Sequence, residues 1–143
     1  MSVPFAVTRH DCGSGVTWLA VGGELDDDTC EPLAARLTAA VAAPLPPSEV
    51  VVDLREVEFV SSAGLRALLR GRTAAAARGV PFRVTNATGF VREVLEVTQL
   101  IDAFRIGTAV DERPPPPDRP ISVRQWRPIS SVDVAALDAD RRD

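Results

Sequence analysis

Two adjacent hydroxyls, Ser61 and Ser62, stand where a helix-like segment begins, after a strand-like segment and a short loop. The residues before them are rich in Val and Leu, and those after them are rich in Ala, Leu and Arg, which favours a strand followed by a helix. A hydroxyl at a helix start can cap the exposed backbone N–H groups. It can also accept a phosphoryl group, which adds a charge of about −1.5 to −2 at pH 7. Both roles are open on this pattern.

Three consecutive acids, Asp26, Asp27 and Asp28, precede a second predicted helix. Carboxylates at this position suit the positive end of a helix dipole. They could equally meet basic groups of a partner protein. If the fold brings them near Ser62, they would repel a phosphate placed there.

Arg66 and Arg70 follow Ser62 by one and two helical turns. From Phe59 to Arg92 there are six Arg and no acid, so the rest of the chain is strongly acidic. This basic edge is either an ordinary solvated face or a surface that steers an acidic patch of a partner.

These residues do not form the sequence pattern of a common enzyme active site. A serine hydrolase built on a nucleophile elbow needs Gly-x-Ser-x-Gly and a histidine base, but residues 60–64 lack the first Gly and His10 is the single histidine. No Cys/His cluster predicts zinc, and no glycine-rich phosphate loop precedes a helix. We expect a protein without metal, cofactor or catalytic activity, with a weak hydrolase using Ser62 as a rival.

Composition and charge narrow the class of protein further. The 143 residues carry a net charge of −4, which argues against bulk binding to nucleic acid or to anionic membranes. Cys12 and Cys30 stand apart, as thiols do in a reducing compartment. The first residues lack a signal-peptide pattern, and no apolar run approaches the ~20 residues of a membrane-spanning helix. These features predict a cytoplasmic protein.

The periodicity of apolar residues predicts alternating strands and helices, and therefore an α/β fold. We expect a single compact domain with a mixed sheet of four or five strands and helices mainly on one face. Phe59 and Leu65 are expected in its core. The predicted strands cover residues 5–9, 16–21, 50–54, 80–84 and 101–106, and the predicted helices cover 30–42, 62–78 and a short stretch from Phe90.

Composition changes after Val110, which predicts three parts to the chain. Residues 1–110 would form the folded domain. Residues 111–120 are rich in proline and would form a semi-rigid linker. Residues 121–143, which include Trp126, would form a tail that is either disordered or docked on another surface.

Several segments together resemble the STAS domain family, which is named for sulphate transporters and anti-sigma factor antagonists. Asp-Leu at 53–54, followed by Phe-Val-Ser-Ser-Ala-Gly-Leu at 59–65, is similar to the family signature. The segments 23–26 and 90–95 resemble two further family patterns in the same order. The resemblance covers about residues 4–106.

This resemblance implies an anti-sigma factor antagonist that binds an ATP-binding serine-kinase anti-sigma factor and is released when that kinase phosphorylates it. The phosphoacceptor position falls on Ser62, and a phosphatase would reset the switch. Ser61 replaces the usual Asp of the family, Ala63 replaces its second hydroxyl, Gly64 matches its glycine, and Asp26 matches an acid of the neighbouring loop. The alternative is a STAS module that senses a ligand or nucleotide, or scaffolds other proteins, without phosphorylation.

Overall fold

The computed structural model describes residues 3–107 and 111–116, which form four strands and three helices. A short 3-10 turn at Gly13–Gly15 joins the first two strands. In chain order the elements are β1 (Ala6–Asp11), β2 (Val16–Leu25), α1 (Cys30–Val41), β3 (Glu49–Val60), α2 (Ser62–Ala77), β4 (Phe82–Thr85) and α3 (Gly89–Val97).

The strands form one mixed sheet in the order β1-β2-β3-β4. β1 is antiparallel to β2, whereas β2, β3 and β4 run parallel to one another. Each parallel step requires a crossover connection, which α1 and α2 supply. The last residues of these parallel strands, Leu25, Val60 and Thr85, therefore mark one edge of the sheet, which we call the carboxyl edge. The arrangement confirms the predicted α/β class and mixed sheet.

The hydrophobic core lies between the helices and one face of the sheet. Alternate residues of β3, namely Val50, Val52 and Leu54, point into this core and are almost fully buried. The apolar stripe of α1, which includes Leu37, packs in the same cluster. α1 and α2 approach so closely that a β-carbon on Gly71 would lie 2.7 Å from Cδ1 of Leu37. Only a glycine fits this crossing without displacing its neighbour.

β3 is longer than the sequence predicted, because the expected loop after residues 50–54 is a continuation of the strand as far as Val60. This second half pairs Val57 with Gly23 after one register shift between β2 and β3, and Val60 with Leu25 after a second. Strand pairing across such irregularities does not need a continuous apolar run. The local sequence pattern therefore missed it.

The predicted fifth strand at 101–106 is wrong. Residues 101–105 form turns, although the segment does lie beside β4, where the amide of Val84 donates to the carbonyl of Phe104 at 2.9 Å. The Phe104 side chain is fully buried. The apolar residues of this segment thus complete the core without forming a ladder of strand hydrogen bonds.

Candidate functional site

The two serines lie at the carboxyl edge, where the end of β3 is joined to the end of β2. The backbone amide of Ser61 donates to the carbonyl of Leu25 at 2.8 Å, directly after the last paired residues of the two strands. This bond links the turn into α2 to the acidic loop that follows β2. Segments 36 residues apart in the chain are thereby brought together.

Ser61 is the cap of α2, and Ser62 is the first residue of the helix. Ser61 has extended backbone angles (φ −97, ψ 177), and its Oγ accepts a hydrogen bond from the amide of Gly64 at 3.3 Å. This satisfies one of the N–H groups that a helix start leaves without a partner. Ser61 is half-buried, whereas Ser62 is exposed. Ser61 therefore provides the cap of α2, and Ser62 is the serine that lies open to solvent.

Gly64 makes the close approach of α2 to β2 possible. It is buried, and a β-carbon at this position would lie 2.5 Å from the carbonyl oxygen and 2.7 Å from the Cβ of Leu25. Real β-carbons do not tolerate such distances to backbone atoms. A glycine at this position therefore follows from the packing of the turn.

The acidic loop is ordered by its own hydrogen bonds. Oδ1 of Asp26 accepts from the amides of Asp28 and Thr29 at 3.0 and 3.2 Å, and the amide of Asp26 donates to Oγ1 of Thr29 at 2.9 Å. Asp26 is half-buried, while Asp27 and Asp28 are exposed. Asp26 thus shapes the turn before α1, and its two neighbours present their carboxylates to solvent.

The two arginines predicted to contact a partner line a groove between α1 and α2. Arg66 and Arg70 are exposed along its rim, and Arg70 donates to Oε2 of Glu31 across the groove at 2.9 Å. The groove has a volume of about 640 Å³ and continues to Ala63, next to the exposed serine. The Arg70–Glu31 pair is solvated on both sides, so it contributes little to stability.

Sequence reasoning missed an aromatic pair at the carboxyl edge. Phe59 was expected in the core, but its side chain is 39% exposed and stacks on Phe90 of α3, with ring centroids 5.7 Å apart. Phe90 is 51% exposed. α3 holds more apolar residues than one face can bury, since Val91 and Leu95 already face the core. That excess was the available signal. Leu65, by contrast, is buried as expected.

Groups suited to metal or redox chemistry do not converge in the described part of the chain. Residues 3–107 and 111–116 contain no cluster of three His, Cys, Asp or Glu side chains placed to hold a metal ion. His10 is exposed on β1. Burial, with a smaller effect of the Asp11 carboxylate, raises the pKa of the Cys12 thiol, which disfavours its reactive thiolate form. Among the described helices, none has the length and apolar character needed to cross a bilayer.

Comparison with known proteins gives consistent matches. Residues 11–106 match the family described as the Mlab, STAS domain. The anti-sigma-F factor antagonist RsfB of Mycobacterium tuberculosis is 30% identical over 105 residues, which cover 73% of this chain and 81% of that protein.

Solved structures share the same fold. An anti-sigma factor antagonist from Mycobacterium paratuberculosis has a TM-score of 0.65 and 29% identity, over 78% of this chain and 93% of that chain. The unphosphorylated form of Bacillus SpoIIAA, an anti-sigma factor antagonist, has a TM-score of 0.61 and 18% identity, over 72% of this chain and 89% of that chain.

The contact between α2 and the end of β2 predicts the effect of replacing Gly64 with Ala. Alanine favours a helix interior over glycine by about 1 kcal/mol. The clash with the Leu25 backbone should outweigh this gain, because forcing an extra carbon into packed surroundings costs about 1–3 kcal/mol. Denaturant unfolding should therefore show Gly64→Ala to be less stable than the unmodified protein. Exposed Ser62→Ala, in the same helical turn, is the matched control; a Gly64→Ala protein more stable than this control would contradict the packing argument.

Proposed function

This chain belongs to the STAS domain family, and we propose that it is an anti-sigma factor antagonist whose binding to a serine-kinase anti-sigma factor ends when Ser62 is phosphorylated. The observation that carries the proposal is the exposed Ser62 hydroxyl at the first position of α2, beside a neighbour that already caps the helix. The protein is then a substrate of the kinase and a regulator, and it needs no catalytic group of its own. A phosphatase would return it to the binding form.

The position of Ser62 allows phosphorylation to change the surface without melting the helix. A phosphate at a helix N-terminus is favoured by the exposed N–H groups and the dipole. The Ser61 cap does not involve the modified oxygen. The new charge of about −1.5 to −2 would act on the partner instead, since a surface matched to a neutral hydroxyl must then desolvate an anion. The exposed carboxylates of Asp27 and Asp28, in the loop joined to Ser61, add to the negative potential.

The two departures from the family pattern are compatible with this function. Ser and Asp are comparably good caps, so Ser61 can take the capping role of an Asp at that position. Ala63 is 4% exposed and faces the groove wall, where a hydroxyl would be hidden from an enzyme. Within the turn, Ser62 is then the hydroxyl that a kinase can reach.

The stacked pair of Phe59 and Phe90 supports a protein partner at the same edge. The first ring lies three residues before Ser62 in the chain, and half-exposed aromatic rings are frequent anchors of protein interfaces. An anti-sigma factor that covers the serine from this side would bury both rings. Phosphorylation would then lower the affinity, because the phosphate on Ser62 would have to lose its water beside the apolar contact made by the two rings.

One observation favours a second candidate. The groove between α1 and α2 is open, of small-molecule size, and partly apolar, with Cys30, Leu69 and Ala74 among its lining residues. A STAS module that senses a small ligand in this groove, without phosphorylation, would use the same fold. The two candidates differ in whether Ser62 is modified.

The assignment of Ser62 predicts the outcome of a phosphorylation assay. Incubation with the cognate kinase and ATP should increase the intact mass of the protein by one phosphate. Ser62→Ala should abolish the increase, since no other hydroxyl of the turn is both exposed and outside the capping bond. Ser61→Ala is the matched control; it should still be phosphorylated, although losing the cap costs about 1 kcal/mol of stability. A phosphate retained by Ser62→Ala would show that another residue is the acceptor.

The aromatic pair predicts a second effect on binding. Phe90→Ala should weaken binding to the anti-sigma factor about tenfold or more, as loss of an aromatic anchor does. The free energy of unfolding of the Phe90→Ala variant should change by less than about 1 kcal/mol, because the ring is half-exposed. Calorimetric titration and thermal unfolding measure the two effects. Val97→Ala removes another exposed apolar side chain of α3, 82% exposed and outside the stack, and should bind normally. Equal affinities for the two variants would remove the rings from the interface.

The basic rim of the groove predicts a kinetic effect. Replacing Arg66 and Arg70 with Glu should slow association with an acidic partner surface by about tenfold at low ionic strength, and the difference should shrink as salt is added. Stopped-flow association rates at several salt concentrations test this. Arg78→Glu combined with Arg105→Glu makes the same change of charge on exposed residues away from the groove. Rates that are unchanged, or changed equally by both pairs, would identify the rim as an ordinary solvated face.

A further inference from the structure

The face of the sheet opposite the helices carries a buried polar cluster. Trp18, Val51 and Asp53 lie on this face, which we call the helix-free face because no helix of the described residues packs there. Asp53 is only 6% exposed, and its carboxylate accepts from Nε1 of Trp18 at 3.2 Å and from the amide of Arg55 at 2.9 Å. A carboxylate buried to this degree must have partners, and here the partners lead to the C-terminal part of the chain.

Residues Asp111–Pro116, which we call the C-terminal arm, lie across this face. The side chain of Glu112 is bound by both Nη atoms of Arg83, at 2.8 and 2.6 Å, and by Oγ1 of Thr85 at 2.5 Å. The hydrogen bond with Arg83 is the main reason that the pKa of Glu112 lies below its ordinary value, and the same bond raises the pKa of Arg83. A two-pronged guanidinium–carboxylate pair of this kind specifies the geometry of its ligand as well as its charge.

The backbone of the arm is recognised as well. Nδ2 of Asn86 donates to the carbonyl of Glu112, and Oδ1 of Asn86 accepts from the Glu112 amide, both at 2.7 Å. This is the pairing that a neighbouring strand would offer to a peptide. Nδ2 of Asn86 also donates to Oδ1 of Asp53 at 3.0 Å. Because a carboxylate accepts and does not donate, Asp53 fixes which end of the amide points at each group of the arm.

Two further contacts fix the direction of the arm. Arg55 forms an ion pair with Asp111 and donates to the carbonyl of Glu112 at 2.5 Å. At the other end, the amide of Gly13 donates to the carbonyl of Pro116 at 3.1 Å. The residues from Arg113 to Pro116 therefore connect the contacts beside β4 with the turn between β1 and β2.

We propose that Arg55, Arg83, Thr85 and Asn86 form a recognition site for an acidic peptide, Asp-Glu-Arg followed by prolines, and that the chain's own C-terminal arm occupies it. Much of the site is held in place by contacts that do not involve the arm. Asp53 orients Asn86, and Glu49 binds Nε of Arg83 at 3.1 Å. Such preorganisation is what separates a binding site from an incidental contact. The proposal does not depend on the function of Ser62, since the two sites share no residue.

Tethering sets a limit that makes the proposal testable. A short tether gives the arm an effective concentration in the millimolar range. If the arm occupies the site most of the time, the same peptide added in solution must bind with a Kd below that range. A free peptide should therefore saturate the site at about 10 mM once the arm is disabled.

The experiment uses the full chain with Asp111→Ala and Glu112→Ala, and a synthetic peptide of residues 109–117. Hydrogen exchange at the Gly13 amide reports closure of the arm at a point remote from both substitutions. Exchange should be about tenfold faster in the variant than in the unmodified protein, and the peptide should slow it again. At peptide concentrations well below the effective concentration of the tethered arm, the peptide should also shift the side-chain amide signals of Asn86 in the variant but not in the unmodified protein, where the arm competes.

Controls separate recognition from a general effect of charge. Glu96→Ala, an exposed acid on α3, should leave Gly13 exchange unchanged, and a peptide with Gln in place of Glu112 should bind at least about tenfold more weakly. Should the double variant not fold, Glu112→Gln serves in its place. Unaltered Gly13 exchange, or a disabled arm with no response to 10 mM peptide, about the effective concentration of the tether, would overturn the proposal. Kinase assays on the same variants keep this outcome distinct from any failure at Ser62.

Discussion

A single hydrogen bond, from the amide of Ser61 to the carbonyl of Leu25, fixes the relation between the two segments on which the proposed function depends. It closes the carboxyl edge by joining the end of β3 to the end of β2. Gly64 allows this closure, because any side chain there would strike the same carbonyl. The acidic loop and the first turn of α2 are consequently joined, even though each is locally ordered by its own hydrogen bonds.

This closure separates what stabilises the helix from what can be modified. Ser61 is used as a cap, Ala63 is buried against the groove and Leu65 belongs to the core. The remaining hydroxyl of the turn belongs to Ser62, which is exposed. In the proposed function, a charge placed on it would change the surface seen by a partner far more than the stability of the fold, which is the property a reversible switch requires.

The sequence was sufficient for features with a local signature. The periodicity of apolar residues predicted the strand at 50–54 and the helix at 30–42, and the paired serines predicted the start of α2. The sequence did not predict the features that depend on contacts between segments distant in the chain. The extension of β3 to Val60 depends on irregular pairing with β2, and the exposure of Phe59 depends on where α3 packs.

The sequence did not predict the contacts between the C-terminal arm and the sheet, for a different reason. A run of prolines cannot donate hydrogen bonds to a sheet, so its sequence pattern predicts a spacer. Most of the contacts join Asp111 and Glu112 to Arg55, Arg83, Thr85 and Asn86. The positive φ of 59° at Asn86 is one that asparagine tolerates. The division of the chain at residues 110 and 120 stays a prediction, and the tail at 121–143 with Trp126 lies outside the described residues.

The central claim is that charge on one exposed hydroxyl controls binding while the fold persists. The most direct measurement compares the unmodified protein with protein stoichiometrically phosphorylated at Ser62, by titration against the anti-sigma factor and by thermal unfolding of each form alone. The phosphorylated form should bind at least about tenfold more weakly, equivalent to ~1.4 kcal/mol, and should unfold at nearly the same temperature. Equal affinities, or a loss of affinity accompanied by a loss of the folded state, would contradict it.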